Sequence, residues 1–367
     1  MKQGWEIKKL GDICSISYGT RVVQKKDGGS IYPVYGGGGA TFLMDRYNRE
    51  DCLIVSRFAM SHKCVRYVQG KFFLNDSGLT IASNGHDLIQ SFLDKQVIAL
   101  NDKIYSLGKG VAQKNLDIKE LKLLDICFPS SLSEQERIVA ELDCLSSIIE
   151  KQKEQLKELD NLAQSIFYTM FGDPITNEKG WEIRKLGDIC NSELGKMLDT
   201  KRAKGEYHPY LCALNVQWGA FNMDVVKEMR IEENELERYT VKNGDILICE
   251  GGDTGRTAIW NSDNTIYYQN SLHRVRLHKD KLLSPVFLHI MHILKASGEI
   301  DKYSTGQTIK HLVKKSLLSI PLIIPALSLQ QDFASKIEAI EKQKELIKQS
   351  IAESETLFNS RMNYYFN

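Results

Sequence analysis

Two stretches of the chain carry the side-chain types needed to hold a polyanion and read hydrogen-bonding edges. Between Gly19 and Asn75 there are nine Lys or Arg (Arg21, Lys25, Lys26, Arg46, Arg49, Arg57, Lys63, Arg66 and Lys71) against four acids. Aromatic residues Tyr18, Tyr32, Tyr35 and Phe58 are interleaved with them. Lys and Arg take phosphates, and a few side chains beside them can reach base edges, so Arg21, Lys25, Lys26, Arg57, His62, Lys63 and Arg66 are candidate nucleic-acid contacts. Further on, Arg256 and the run QNSLHRVR supply Gln269, Asn270, His273, Arg274 and Arg276. Arg pairs bidentately with guanine, and Asn or Gln with adenine; on a strand, Arg274 and Arg276 share one face. Solvated surface charge is the commoner cause of a cluster like the first, and structural hydrogen bonding accounts equally well for half of the second.

A catalytic centre is not legible. The sequence has no G-x-x-x-x-G-K loop, H-E-x-x-H, G-x-S-x-G or H-x-E with P-C-x-x-C, and no N-P-P-Y or D-P-P-Y motif that would hold a target base. Gly36 to Gly39 form a glycine loop without the following Lys-Ser or Lys-Thr that a phosphate cradle needs. His289 and His292 stand as H-x-x-H with no third ligand candidate, which reads as a packed pair and predicts no metal. Eight cysteines show no C-x-x-C spacing and read as reduced thiols. MKQGWEIKKL lacks an apolar signal core, and the most apolar run, Leu317 to Leu327, is broken by Pro321 and Pro325. The expectation is a cytoplasmic chain without membrane insertion. A formal charge of +1 means that any polyanion is met by local patches.

The elements that would position these residues come in two copies. GWEIKKLGDIC opens at Gly4 and GWEIRKLGDIC at Gly180, identical at ten of eleven positions. QKNLDIKELKLLDICFP ends at Pro129, TIKHLVKKSLLSIPLIIP at Pro325, and IEKQKE occurs at Ile149 and again at Ile340. The chain is a duplication. The openings are 176 residues apart and the prolines 196, so the second globular segment is about twenty residues longer. After each proline a long helix is expected, with Ser133 and Glu136, or Ser328 and Gln331, in capping-box spacing, and Gly172 with Pro174 as a stop.

The first helix carries a seam in steps of four and three: Ile138, Leu142, Leu145, Ile149, Gln152, Leu156, Leu159, Ala163, Ile166 and Met170. The second carries Phe333, Ile337, Ile340, Ile347, Ile351 and Phe358, interrupted by Lys344 and Ser354. This is a coiled-coil pattern, and a forty-residue helix is a rod of about 60 Å that needs a partner. Antiparallel packing of the two within one chain is the expectation, with pairing between chains as the alternative. The helical offset falls from 195 at the serines to 191 at IEKQKE, which suggests helices of different length. The segments rich in β-branched and aromatic residues, ICSISYGT, CLIVSRF, KCVRYV, GDILICEGG and HRVRLH, predict strands, and PVFLHIMHILKAS predicts a buried helix. The predicted class is α/β (α+β). It has a globular segment over 1–130, a helix over 131–172, a second segment over 173–325 and a second helix over 326–367, in pseudo-two-fold arrangement.

The repeated G-W-E-I-x-K-L-G-D-I openings, the YPVYGGGG and YLCALNV segments and the SLSEQERI helix start make the chain resemble the specificity (S) subunit of Type I restriction-modification systems. That resemblance implies two target-recognition domains reading a bipartite double-stranded DNA site, one half each, with the helices as spacer and docking surface. It implies methyltransferase (M) subunits that carry S-adenosylmethionine, an endonuclease (R) subunit that joins for cleavage, and no cofactor or catalysis in this chain. Two rivals stay open: a self-contained modification or restriction enzyme, and a coiled-coil interaction protein that binds no DNA.

Overall fold

The computed structural model describes residues 3–111, 113–198, 204–306 and 310–366. The chain forms two compact units: Met1–Glu154 with Lys348–Asn367, and Gln155–Ile347. Mixed helix and strand build both, as the residue patterns predict.

In the first unit a six-stranded sheet runs in the order Cys14–Tyr18, Gly78–Ser83, Arg49–Ser56, Val65–Leu74, Tyr32–Tyr35, Ala40–Met44. Every pairing is antiparallel except Tyr32–Tyr35 against Val65–Leu74. Alternation along Arg49–Ser56 and Gly78–Ser83 sends Leu53, Val55, Leu79 and Ile81 into a core shared with Phe92, Leu93 and Val97 of the helix Gln90–Ala99. Ile138 and Leu142 from the start of one long helix, and Met362, Tyr365 and Phe366 from the end of the other, close that core.

The second unit repeats the plan with an interruption. The order Cys190–Leu194, Leu272–Leu277, Ile246–Cys249, Thr257–Ile259 forms one four-stranded sheet; Lys227–Ile231, Glu206–Leu211, Ile266–Tyr268, Thr240–Val241 forms another. The ten-residue strand Val65–Leu74 is matched by two short pieces, Thr257–Ile259 and Ile266–Tyr268. Glu206–Leu211 again pairs in parallel, Leu211 opposite Tyr268, as Tyr35 lies opposite Leu74. The apolar helix Ser284–Ala296 buries Val286, Phe287, Ile290 and Met291.

The repeated motifs prove to be strand partners. Trp5–Lys9 pairs antiparallel with Asp125–Pro129, and Glu182–Lys185 with Pro321–Ile324, in the same register: Ile7 opposite Cys127, Ile183 opposite Ile323. Each GWEI opening is thus stitched to the proline-ended run of its own half before the chain enters a long helix.

Both long helices have 40 residues, Leu132–Phe171 and Leu327–Phe366. The expectation of unequal lengths is corrected: IEKQKE lies one turn earlier in the second helix. The capping boxes are corrected too. Ser133 and Ser328 lie inside the first turn, because the helices start earlier, with Ser131 O accepting from Gln135 N and Ala326 O from Gln330 N. The glycine stop is present: Gly172 has φ +74° and donates to Tyr168 O at 2.9 Å, while Lys179 Nζ and Trp181 Nε1 cover the last carbonyls.

Just inside each helix start sits a glutamine with no exposed surface, Gln135 and Gln330. The Gln135 amide donates to Asp87 O (2.7 Å) and Pro129 O (2.8 Å) and accepts from Ile89 N (2.9 Å). Gln330 donates to Lys281 O (2.9 Å) and Pro325 O (2.8 Å) and accepts from Leu283 N (2.8 Å). The same three-bond joint therefore fixes each helix to the loop and strand of its own unit.

Within each unit the helices run antiparallel. In the first, Arg361 and Tyr365 reach Glu141, Lys153 pairs with Glu355 and Gln152 Nε2 donates to Ser350 Oγ at 2.7 Å. In the second, Lys344 pairs with Asp160 and the Phe333 ring packs on Phe167 and Phe171. Seam residues Ile138, Leu142, Ile149, Phe333, Ile337, Ile340 and Ile351 are buried. Leu145, Leu156, Leu159, Ile166 and Ile347 are only half-buried. Past Ala163 the buried positions are Phe167 and Phe171 rather than Ile166 and Met170, because here the helix packs into a globular core and follows its own 3.6-residue period. Among the described residues no helix is long and apolar enough to cross a membrane.

Candidate nucleic-acid interface

In the first unit five loop segments meet at one end of the sheet. Gly19 N donates to Gly78 O and Thr20 N to Leu74 O, which lays the turn after Tyr18 along the Asn75–Ser77 turn. A Cβ on Gly19 would stand 1.9 Å from Asn75 O, so only glycine permits this approach. Asn75 N donates to Tyr35 O and Arg57 N to Ser77 O; Leu116 N donates to Arg57 O, bringing in the 109–116 loop. Ser56 Oγ and Arg66 Nη2 both donate to Gly37 O, at 2.6 and 3.1 Å. The Gly36 to Gly39 run is held at this point.

The second unit builds the same frame from different residues. Gly195 N donates to Leu272 O, Lys196 N to Tyr268 O, Gln269 N to Leu211 O, Glu250 N to Ser271 O, and Leu312 N to Glu250 O. Gly195 is again pressed on a backbone carbonyl, its Cβ position 2.3 Å from Gln269 O. Cys249 Sγ and Arg256 Nη2 donate to Ala213 O, as Ser56 and Arg66 do to Gly37 O. The frame is backbone and buried side chain in both copies. What is mounted on it differs: Thr20 or Lys196, Asn75 or Gln269, Asp76 or Asn270, Arg57 or Glu250.

The sequence candidates divide accordingly. Arg21, Lys25 and Lys26 are exposed, the lysines on the short helix Gln24–Asp27. His62 and Lys63 are exposed; the His62 ring lies 4.4 Å from the Tyr105 ring, over which Lys114 Nζ also sits at 4.1 Å. Arg57 lies between Tyr18 and Phe58. Gln269 and Asn270 are half-buried on the frame and bonded to each other, Gln269 Nε2 to Asn270 Oδ1 at 3.0 Å.

Five candidates are engaged within the protein. Arg66 and Arg256 spend their guanidinium groups on the frame carbonyls. His273 has no exposed surface, its Nε2 lies 2.8 Å from Leu312 O, and burial holds its pKa below the usual range. Arg274, 6% exposed, donates to Arg238 O and Thr240 O, and Arg276 makes a two-bond pair with buried Asp245. The reason is topological: Leu272–Leu277 is an inner strand, flanked by Cys190–Leu194 and Ile246–Cys249, and the shared face of the two arginines is turned onto the inserted 236–245 segment. His289 is likewise structural, with Nδ1 2.9 Å from Pro285 O and its ring stacked on Phe167. Sequence reasoning missed Lys114, Glu250 and His311. Lys114 and His311 lie within the echoed runs that end at Pro129 and Pro325, whereas Glu250 lies outside them, at the end of the strand run GDILIC.

This twice-built frame meets an independent finding. The profile described as Type I restriction modification DNA specificity domain matches residues 2–160 and again 178–356. The chain belongs to this family. It is 23% identical over 259 residues to the Type I restriction enzyme EcoKI specificity subunit of Escherichia coli K12, covering 65% of this chain and 55% of that protein. It is 22% identical over 262 residues to the Type I restriction enzyme MjaIX specificity subunit of Methanocaldococcus jannaschii, covering 66% and 59%. The alignments thus span little more than half the length of these two relatives. In fold it is similar over 99% of its length to 96% of the Type I restriction-modification system S subunit from M. genitalium, with a TM-score of 0.63 at 16% identity.

Proposed function

We propose that this chain is the DNA-recognition subunit of a Type I restriction-modification complex, itself without catalysis. Each unit takes one half of a bipartite double-stranded site. Methyltransferase subunits carry S-adenosylmethionine and the methyl transfer, an endonuclease and translocase subunit joins for cleavage, and the assembly works on DNA in the cytoplasm. The observation that carries this reading is the single backbone frame built once in each unit with different side chains mounted on it. That is what a chain needs to read two different short sequences with one architecture.

The two equal helices act as the spacer. Linked readers raise joint affinity only when the span between them matches the ligand, so a wrong gap forfeits one half-site. The test is co-expression with a methyltransferase subunit followed by mapping of methylated bases. A motif of two short halves and a constant gap is expected, and exchanging residues 173–325 for another member's segment changes one half alone. Four residues inserted near Gln152 should lengthen the gap and leave both halves unchanged. Methylation by the purified chain alone would overturn the non-catalytic reading. Retention of DNA that does not fall with salt would contradict phosphate-mediated binding.

A further inference from the structure

The two frames can be compared position by position, and one position inverts its charge. Arg57 and Glu250 are equivalent on two backbone bonds each: Arg57 N to Ser77 O and Leu116 N to Arg57 O in the first unit, Glu250 N to Ser271 O and Leu312 N to Glu250 O in the second. Both follow the residue whose side chain caps the frame carbonyl, Ser56 or Cys249. Their backbones are pinned in the same way while their side chains carry opposite hydrogen-bonding sense.

The Arg57 guanidinium lies 4.6 Å from the Tyr18 ring centroid and 4.6 Å from that of Phe58. Both rings are themselves exposed, at 45% and 37%. Its neighbours are spent: Arg66 on Gly37 O and Gly38 O, Arg49 on Asn48 O and Tyr18 O. Arg57 makes no side-chain hydrogen bond or ion pair among the described residues. Two aromatic contacts restrain the plane of the fork, and its N–H edges remain unfilled. A restrained donor fork is the group that meets the O6 and N7 acceptors of guanine. Exposed His62 and Lys63 lie on the loop that Arg57 begins, and Lys114 on the loop paired to it, with His62 and Lys114 both against the Tyr105 ring.

Glu250 offers only acceptors. One carboxylate oxygen lies 3.1 Å from Nδ1 of the exposed His311, and the carboxylate retains further lone pairs. The major-groove partner of such a group is the amino group of cytosine.

We infer that this frame position reads one base in each half-site, guanine through Arg57 and cytosine through Glu250, so that the two halves differ there. The inference rests on the DNA-recognition reading above and assigns the residues that carry it.

The experiment uses the full chain assembled with its methyltransferase subunits and selects binding sites from a randomised DNA library, comparing wild type with Arg57→Ala, Arg57→Lys and Glu250→Gln. Arg57→Ala should lose the guanine requirement at one position and bind the wild-type site about 5- to 150-fold more weakly, with an unchanged salt slope. Arg57→Lys keeps the charge without the fork and should lose the same requirement, which separates base reading from phosphate contact and provides a second variant should alanine impair folding. Glu250→Gln should relax one position in the other half. Uniform weakening of all sequences by Arg57→Ala with a shallower salt slope, an unaltered selected site, or two variants acting on the same half would each overturn the assignment. If wild type itself selects no two-part site, the recognition reading fails along with it, and that outcome is visible before any variant is compared.

Discussion

Replacing Gln135 by glutamate changes one group in a joint where every partner is already assigned. The amide presents two donors to two carbonyls, Asp87 O and Pro129 O, and one acceptor to Ile89 N. Those partners dictate its orientation, and Gln330 repeats it. The introduced carboxyl, when protonated, can donate to only one of the carbonyls. The other becomes a buried acceptor without a donor, at a cost of about 1–3 kcal/mol. When ionised, it places a charge with no exposed surface against two carbonyl oxygens, and uncompensated buried charges cost roughly 3–5 kcal/mol.

The folded-state pKa of this new carboxyl is therefore raised above its unfolded value. Its smaller penalty holds below the unfolded pKa, near 4.3, and grows by at most about 1.4 kcal/mol per pH unit as pH rises toward the folded pKa. Against a total stability on the order of 5–15 kcal/mol the loss at pH 8 is large. Gln135→Met, of similar shape, orphans all three partners and should cost about 3–6 kcal/mol with no pH dependence. Hydrogen exchange read by mass spectrometry at pH 5.5, 6.5 and 7.5, after correction for intrinsic rates, localises the effect. Protection should fall around residues 87–89 and 129–142 for Gln135→Glu, and around 281–283 and 325–337 for Gln330→Glu. A pH-independent loss for the glutamate variant, or one under 1 kcal/mol, would refute the joint.

Three other perturbations follow from the packing. Asp94, whose pKa burial lifts from 3.8 to about 6 despite a hydrogen bond from Gln90, destabilises the folded state as pH rises through that value. Asp94→Asn should raise stability at pH 7–8 by about 1–2 kcal/mol, with the gain gone below pH ~4, as followed by denaturant melts. Phe333→Ala removes a ring packed against Phe167, Phe171 and His289. It should cost about 3–5 kcal/mol, and its pairing with Phe167→Ala should fall short of additive in a double-mutant cycle. Gly195→Ala forces a Cβ onto the Gln269 carbonyl; we expect about 1–3 kcal/mol lost by thermal denaturation and relaxed selectivity in one half-site only.

How far the residues foretold the molecule depended on whether the signal was periodic, repeated or topological. The duplication gave the plan, because GWEI and the proline-ended runs recur as strand partners. The seam gave the antiparallel helices, because apolar steps of four and three must face a partner. The seam failed where a further partner was added: at Phe167 and Phe171 the helix meets a globular core that includes Phe287 and Ile290 as well as Phe333 of the second helix, and two aromatic residues outside the pattern become the buried ones. The serine-based caps failed because a helix start is set by several competing groups, and the buried glutamine two residues after Ser133 or Ser328 held the joint. The QNSLHRVR run misled for a topological reason. Donor chemistry does not reveal whether a strand lies at an edge or inside a sheet, and His273, Arg274 and Arg276 lie inside. Arg57 and Glu250 became equivalent only once their backbone bonds were matched, since the apolar runs before them, LIVS and ILIC, share a pattern but no identical aligned residue.

The division between frame and mounted side chains has an energetic consequence. Nearly every bond that aligns the loops runs to a backbone carbonyl, and the side chains that contribute, Ser56 and Arg66 or Cys249 and Arg256, are turned inward. Arg57 and Lys114 are half-buried and their charged groups lie over aromatic rings rather than on the frame carbonyls, so replacing them should cost folding less than a change in the inward group. The inward group behaves oppositely: losing Arg66 or Arg256 removes one of the two side-chain donors that hold a frame carbonyl, Gly37 O or Ala213 O, and loosens the loop. Selection on recognition can therefore act on one set of residues while selection on folding holds the other. The charge inversion between Arg57 and Glu250, on backbones pinned by the same bonds, is the form that separation takes within a single chain.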